Sequence, residues 1–166
     1  DSRGQLLEDE VKIVRPVGFS IAQAAIDIHG ITTARARREG VAIHDVLTSF
    51  AASASRAKIV IAHNIDFDAT VLSAEFLRAR SPDPLGALAR RCTMKDATAF
   101  CNLPGSRGPK WPKLKELYFT LFGRYPDREH DALADATVCA ECFFELRRRR
   151  VSPFASDDRQ MKQVQS

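Results

Sequence analysis

No apolar run in this 166-residue chain approaches the roughly 20 residues that a bilayer-spanning helix needs, and no signal peptide opens it. A membrane partner is therefore not expected. Cysteine is scarce: Cys92, Cys101, Cys139 and Cys142 fall short of a secreted disulfide scaffold, which points to the cytoplasm. Cys139 and Cys142 have CxxC spacing, but no second cysteine or histidine pair stands at zinc-like distance, so both read as small residues facing a helical core. Charge of one sign is lacking too. The net charge of +4 permits a nucleic-acid partner without demanding one. No internal repeat is visible, and 45% hydrophobic content over this length suits one domain with a real core.

What is present reads as an alternation of helices and short strands. Asp1-Ser2-Arg3-Gly4 predicts a turn, and Val11 to Arg15 alternates as a strand until Pro16 stops it. Ile21 to Ile28 predicts a turn or short helix ending at His29-Gly30. Thr32 or Thr33 can cap a helix over 34–39, with Gly40 as its stop. Val46, Leu47, Phe50 and Ala54 follow a helical period. Lys58 to His63 is a continuous apolar run of the kind found in strands buried on both faces.

Phe67, Val71, Leu72, Phe76 and Leu77 then mark the expected buried face of a helix. Arg91 to Met94 predicts another short strand, and 102–112 a Gly- and Pro-rich loop in which Trp111 reads as an anchor packed on the core, with base stacking as its other reading. Leu114 to Phe122 predicts an amphipathic helix closed near Gly123, and Leu133 to Arg150 the last helix. Residues 151–166 are polar and aperiodic and read as a disordered tail, leaving 1–150 as the folded domain.

Two segments carry chemistry. His63-Asn64-Ile65-Asp66-Phe67-Asp68 and His130-Asp131-Ala132-Leu133-Ala134-Asp135 each place a histidine five residues before an aspartate, at the approach to a helix. Hard divalent cations prefer carboxylate oxygens, and a buried carboxylate is costly without a cation or donor. Asp135, among Ala132, Leu133, Ala134 and Ala136, has that apolar setting. Asp68 and Asp135 are thus candidate ligands of a site assembled from distant parts of the chain. Asp131 reads as a helix cap instead.

Taken in order, these segments resemble the 3′-5′ exonucleases with four acidic ligands and a catalytic histidine, written DEDDh, which include polymerase proofreading subunits. The run into His63-Asn64-x-x-Phe67-Asp68 resembles the second motif of that family, and His130-x-x-x-x-Asp135 its third. His29-Gly30-Ile31-Thr32 resembles a segment common between the motifs, and Lys110-Trp111-Pro112-Lys113-Leu114 one that precedes the third. Each match is weak alone; together, in order, over roughly residues 1 to 147, they are specific.

The resemblance implies an α/β, ribonuclease H-like mixed sheet flanked by helices. It also implies hydrolysis of DNA or RNA 3′ ends with two ions, Mg²⁺ or Mn²⁺, roughly 4 Å apart. It assigns Asp68 and Asp135 to the metals and His130 to the proton of the attacking water. His63, Asn64 and Phe67 fall at the substrate end, although His63 also reads as a hydrogen-bonded strand terminus. A DNA polymerase or a second copy of the chain is an expected partner.

One motif has no counterpart. The family's Asp-x-Glu at the end of its first strand supplies the other two ligands, and Glu8-Asp9-Glu10 follows no apolar strand. The chain starts with Asp rather than Met, and Asp1 to Gly4 resembles the turn between the family's second and third strands. The expectation is a fragment missing its first two strands, about 30 residues, with impaired turnover. The rival expectation is an exonuclease-like module that binds nucleic acid without cleaving it.

Overall fold

A computed structural model describes residues 1–127 and 131–151; His130 and the tail beyond Val151 lie outside the described residues. Residues 1–22 contribute a turn and one bridge. Asp1 closes the turn by accepting from the Arg3 and Gln5 amides at 2.9 Å. The strand expected over 11–15 reduces to a single parallel bridge between Val14 and Val41. Of the acids in this segment, Glu10 accepts from Ser49 at 2.5 Å, and Glu8 pairs with Arg56.

Helix α1 (Gln23–His29) ends on Gly30 in the left-handed region, and α2 (Thr33–Glu39) starts where Thr32 Oγ1 accepts from the Arg35 amide at 3.1 Å. Gly40 ends α2 for a steric reason, since a Cβ there would lie 2.2 Å from the Ala36 carbonyl oxygen and 2.7 Å from the Arg15 amide. Helix α3 (Ile43–Ala54) leads to β1 (Ile59–Ala62), α4 (Ile65–Arg78), a 3₁₀ turn at Pro84–Ala87, and β2 (Ala89–Cys92). The short helices α5 (Thr93–Asp96) and α6 (Thr98–Cys101) precede α7 (Leu114–Phe122) and α8 (Ala132–Arg148).

Strands β1 and β2 are parallel, joined through α4, with Ile59 opposite Ala89 and Ala62 opposite Cys92. Among the described residues β1 has no second strand neighbour. That open edge explains why Ile59 to Ala62 are only half-buried, where the apolar run predicts burial on both faces. Helix α4 buries Phe76 as expected and departs from expectation elsewhere. Its inward row is Ile65, Ala69 and Phe76, whereas Phe67, Val71 and Leu77 are exposed. Phe76 settles this by packing against Phe50 of α3, with ring centroids 6.1 Å apart.

The larger core joins α7 to α8. Leu117, Tyr118, Leu121, Val138, Cys142, Phe143 and Leu146 form one cluster with Ala97. Gly123 closes α7 in the left-handed conformation, and Asp131 caps α8 by accepting from the Ala134 amide at 2.9 Å. A smaller cluster of Ile65, Cys92 and Met94 sits beneath the strand ends. Among the described residues no helix is long and apolar enough to cross a membrane.

Candidate active site

Because β1 and β2 run parallel, their carboxyl ends open on the same edge, where open α/β sheets hold ligands. His63 and Asn64 follow β1, and Thr93 follows β2. Asn64 adopts the left-handed conformation (φ 79°, ψ 51°), which asparagine tolerates better than most side chains. This sharp turn converts the strand into α4 and sets Asp66, Phe67 and Asp68 in the helix's first turn.

His63 fastens the edge together. Its Nδ1 lies 2.9 Å from Thr93 Oγ1 and its Nε2 lies 2.9 Å from the Pro112 carbonyl oxygen. A carbonyl only accepts, so Nε2 carries the proton and Nδ1 accepts from the Thr93 hydroxyl. Thr93, wholly buried, is then free to accept from the Cys139 thiol at 3.6 Å on α8. One chain of contacts therefore links α8, β2, β1 and the loop before α7. Burial holds the His63 pKa below the usual histidine value, against the opposing pull of the Pro112 carbonyl and the Asp135 charge. That lowering favours the neutral ring on which this hydrogen-bond pattern rests.

Asp68 on α4 and Asp135 on α8 each lie within electrostatic reach of a residue of this edge. Asp135 is close enough to His63 to favour its charged form. Asp68 in turn acts on Cys139, one helical turn beyond Asp135. Burial pushes the Cys139 thiol up to about 11, Thr93 opposes that, and the Asp68 charge adds to it. Asp68 as a residue is largely exposed, yet burial around its carboxyl group raises its pKa despite a hydrogen bond from its own amide. Asp135 is half-buried, and its neighbours Ala132 and Ala136 are exposed, so its surroundings are less apolar than the sequence implies.

Phe67 and Trp111 are both exposed, at 65% and 60%. For Trp111 this reverses the expected role: Pro112, fully buried, anchors the loop, and the indole stands out in solvent. Lys95 lies beside it, its Nζ 5.9 Å from the ring centroid and ion-paired with Asp66. Thr93 and Lys95 are members of this edge that sequence patterns do not single out, and Pro112 and Cys139 join it in roles those patterns do not assign. The available signal was the pairing itself, since parallel strands ending at Ala62 and Cys92 must bring the next residues together.

A carboxylate on α4 whose surroundings raise its pKa and a half-buried carboxylate on α8 suit a hard cation, and among the described residues no side-chain donor pairs with Asp68. The two fit one side of a metal site. Among the described residues no group of three or more His, Cys, Asp or Glu gathers to complete it.

Fold and site together define a ribonuclease H-like α/β domain with carboxylates at the carboxyl edge of its sheet. The chain belongs to the exonuclease family (RNase T type), whose profile matches residues 2–143. Its fold is that of exonuclease I. The E. coli enzyme bound to a dA16 oligonucleotide superposes with a TM-score of 0.76 at 22% identity, over 94% of this chain and 36% of that one. The zinc-bound E. coli enzyme with single-stranded DNA gives the same values. A product-bound exonuclease I gives a TM-score of 0.73 at 20% identity, over 91% of this chain and 38% of that one. The chain thus spans about a third of the length of these solved structures. No curated protein sequence matches it.

Proposed function

We propose that this domain, residues 1–150, removes nucleotides from the 3′ end of a DNA or RNA strand with Mg²⁺ or Mn²⁺. The observation that carries the reading is that Asp135 acts on His63 and Asp68 on Cys139, both beside the strand ends, in a chain of the exonuclease family. The exonuclease I structures hold single-stranded DNA and, in one case, zinc, which supports a strand substrate and a divalent ion here.

Asp68 and Asp135 would hold the ions, which when bound favour ionisation of water and stabilise the departing 3′ oxygen. His130, lying outside the described residues, would take the proton of the water attacking phosphorus. The P–O3′ bond breaks, a nucleoside 5′-monophosphate leaves, and the shortened strand ends in a 3′-hydroxyl. Asn64 and Phe67 stand at the substrate end, while His63, with both nitrogens engaged inside the protein, acts by positioning the edge. We assign the chain to the cytoplasm on its four free thiols. A DNA polymerase or a second copy is the partner this reading favours.

The test is 3′-end hydrolysis of a labelled single strand by the longest polypeptide containing these residues. Metal-dependent release of monophosphates, lowered at least ~100-fold by Asp135→Ala, supports the reading. The 166 residues alone are expected to turn over weakly, because two carboxylates cannot fix two cations. That shortage also favours a second reading, a module that binds strands without cleaving them. Strand binding with no hydrolysis under any divalent metal would establish it.

A further inference from the structure

We infer that Trp111 and Lys95 form a subsite for single-stranded nucleic acid beside the Asp68–Asp135 edge, the indole stacking a base and the ammonium taking a phosphate. The inference rests on the exonuclease reading and extends it to two residues that the reading does not use. Burying an indole is among the larger hydrophobic gains available to a fold. Here the neighbouring Pro112 is fully buried while Trp111 remains 60% exposed. Core packing does not account for that arrangement.

The position is held rather than loose. His63 Nε2 grips the Pro112 carbonyl one residue after Trp111, and His63 Nδ1 grips Thr93 two residues before Lys95. One imidazole therefore fixes the ring and the cation relative to each other and to α4, which carries Asp68. The Lys95 Nζ sits 5.9 Å from the ring centroid, leaving more than half of the indole to solvent.

The Lys95–Asp66 ion pair is exposed, so its net contribution is small and the ammonium can exchange its carboxylate for a phosphate. An exposed aromatic next to a cation in an exposed, exchangeable ion pair is the combination that binds a strand through stacking and charge, with little sequence preference.

Trp111 is the only tryptophan in the chain, so its fluorescence reports this subsite alone. The experiment titrates the chain with a labelled single strand of about a dozen nucleotides, with Ca²⁺ replacing Mg²⁺ so that binding is read apart from hydrolysis. Emission should be quenched along the same curve as the label's anisotropy. Trp111→Leu should raise Kd roughly 5- to 100-fold, and Trp111→Phe should recover most of the loss. Lys95→Gln should reduce the slope of log affinity against log salt by about 0.7.

Binding with unchanged emission, or undiminished binding by Trp111→Leu, overturns the subsite and leaves the exonuclease reading in place. Absence of binding also overturns it. Hydrolysis of the 3′ end in Mg²⁺, measured separately, then decides whether the exonuclease reading falls as well.

Discussion

The α7–α8 pair and the strand edge meet in the same small domain but are built in opposite ways. The helix pair buries Leu117, Leu121, Cys142, Phe143 and Leu146 against one another in a continuous apolar cluster. At its far end Arg149, paired with Glu145, donates to the Leu121 carbonyl at 2.5 Å and joins the two helix ends. The strand edge has three buried apolar residues and four half-buried strand positions, and is fastened by polar contacts through His63 and Thr93. Apolar packing supplies stability without direction, whereas hydrogen bonds fix where each group stands. The candidate carboxylates lie where direction matters, and the helix pair supplies the stability that lets that edge stay open.

The comparison breaks most directly in the two cores. Leu146→Ala should cost about 3–4 kcal/mol, since the side chain is wholly buried in the large cluster and its neighbours can collapse only in part. Met94→Ala in the small cluster should cost about 2 kcal/mol, because the open edge offers room to relax. Urea denaturation monitored by circular dichroism measures both. Equal losses would mean that the strand edge shares the main core and that the division drawn here is wrong.

Much of the helix pair was legible in the sequence because its signals are local. The spacing of Leu114, Leu117, Leu121 and Phe122, the stop at Gly123 and the cap at Asp131 are each decided within a turn or two. The inward face of α4 was misjudged for the opposite reason. Phe67 and Leu77 are apolar and correctly spaced, but the partners that select Ile65, Ala69 and Phe76 lie on α3 and at the strand ends. The same limit applies to the site. Asp68 and Asp135 stand out through their motifs, while Thr93 and Pro112 acquire a role only when folding brings them to His63. Trp111 was read as an anchor because tryptophan is usually buried, and no local pattern could show that Pro112 takes that place.

An intermediate effect is expected at the junction itself. His63→Ala removes two hydrogen bonds and leaves the buried Thr93 hydroxyl only the longer contact to the Ala62 carbonyl at 3.4 Å, at about 2 kcal/mol in all. The loss should be local before it is global. Hydrogen exchange over 110–113 should accelerate at denaturant concentrations where the α7–α8 amides are still protected. Uniform acceleration through both regions would show that the loop is held by something other than this imidazole.

The smallest effect belongs to the helix pair's polar end. Hydrogen bonds from Arg148, then Arg149, lower the Glu145 pKa from 4.5 to about 2, although partial burial works against them. A folded-state pKa below the unfolded value means stability that is complete above about pH 4.5 and lost as pH falls towards 2. The shift alone would amount to about 3 kcal/mol, but Arg148 is exposed and solvent screens the pair, so about 1 kcal/mol is expected. Glu145→Gln should therefore be less stable than the parent at pH 7 by that amount, and become indistinguishable from it only as pH falls to about 2 and below. Molar salt should narrow the difference at pH 7. A gap that persisted at low pH would assign the loss to packing at the α7–α8 end rather than to charge, and would make that end more like the rest of the helix core than the ion pairs suggest.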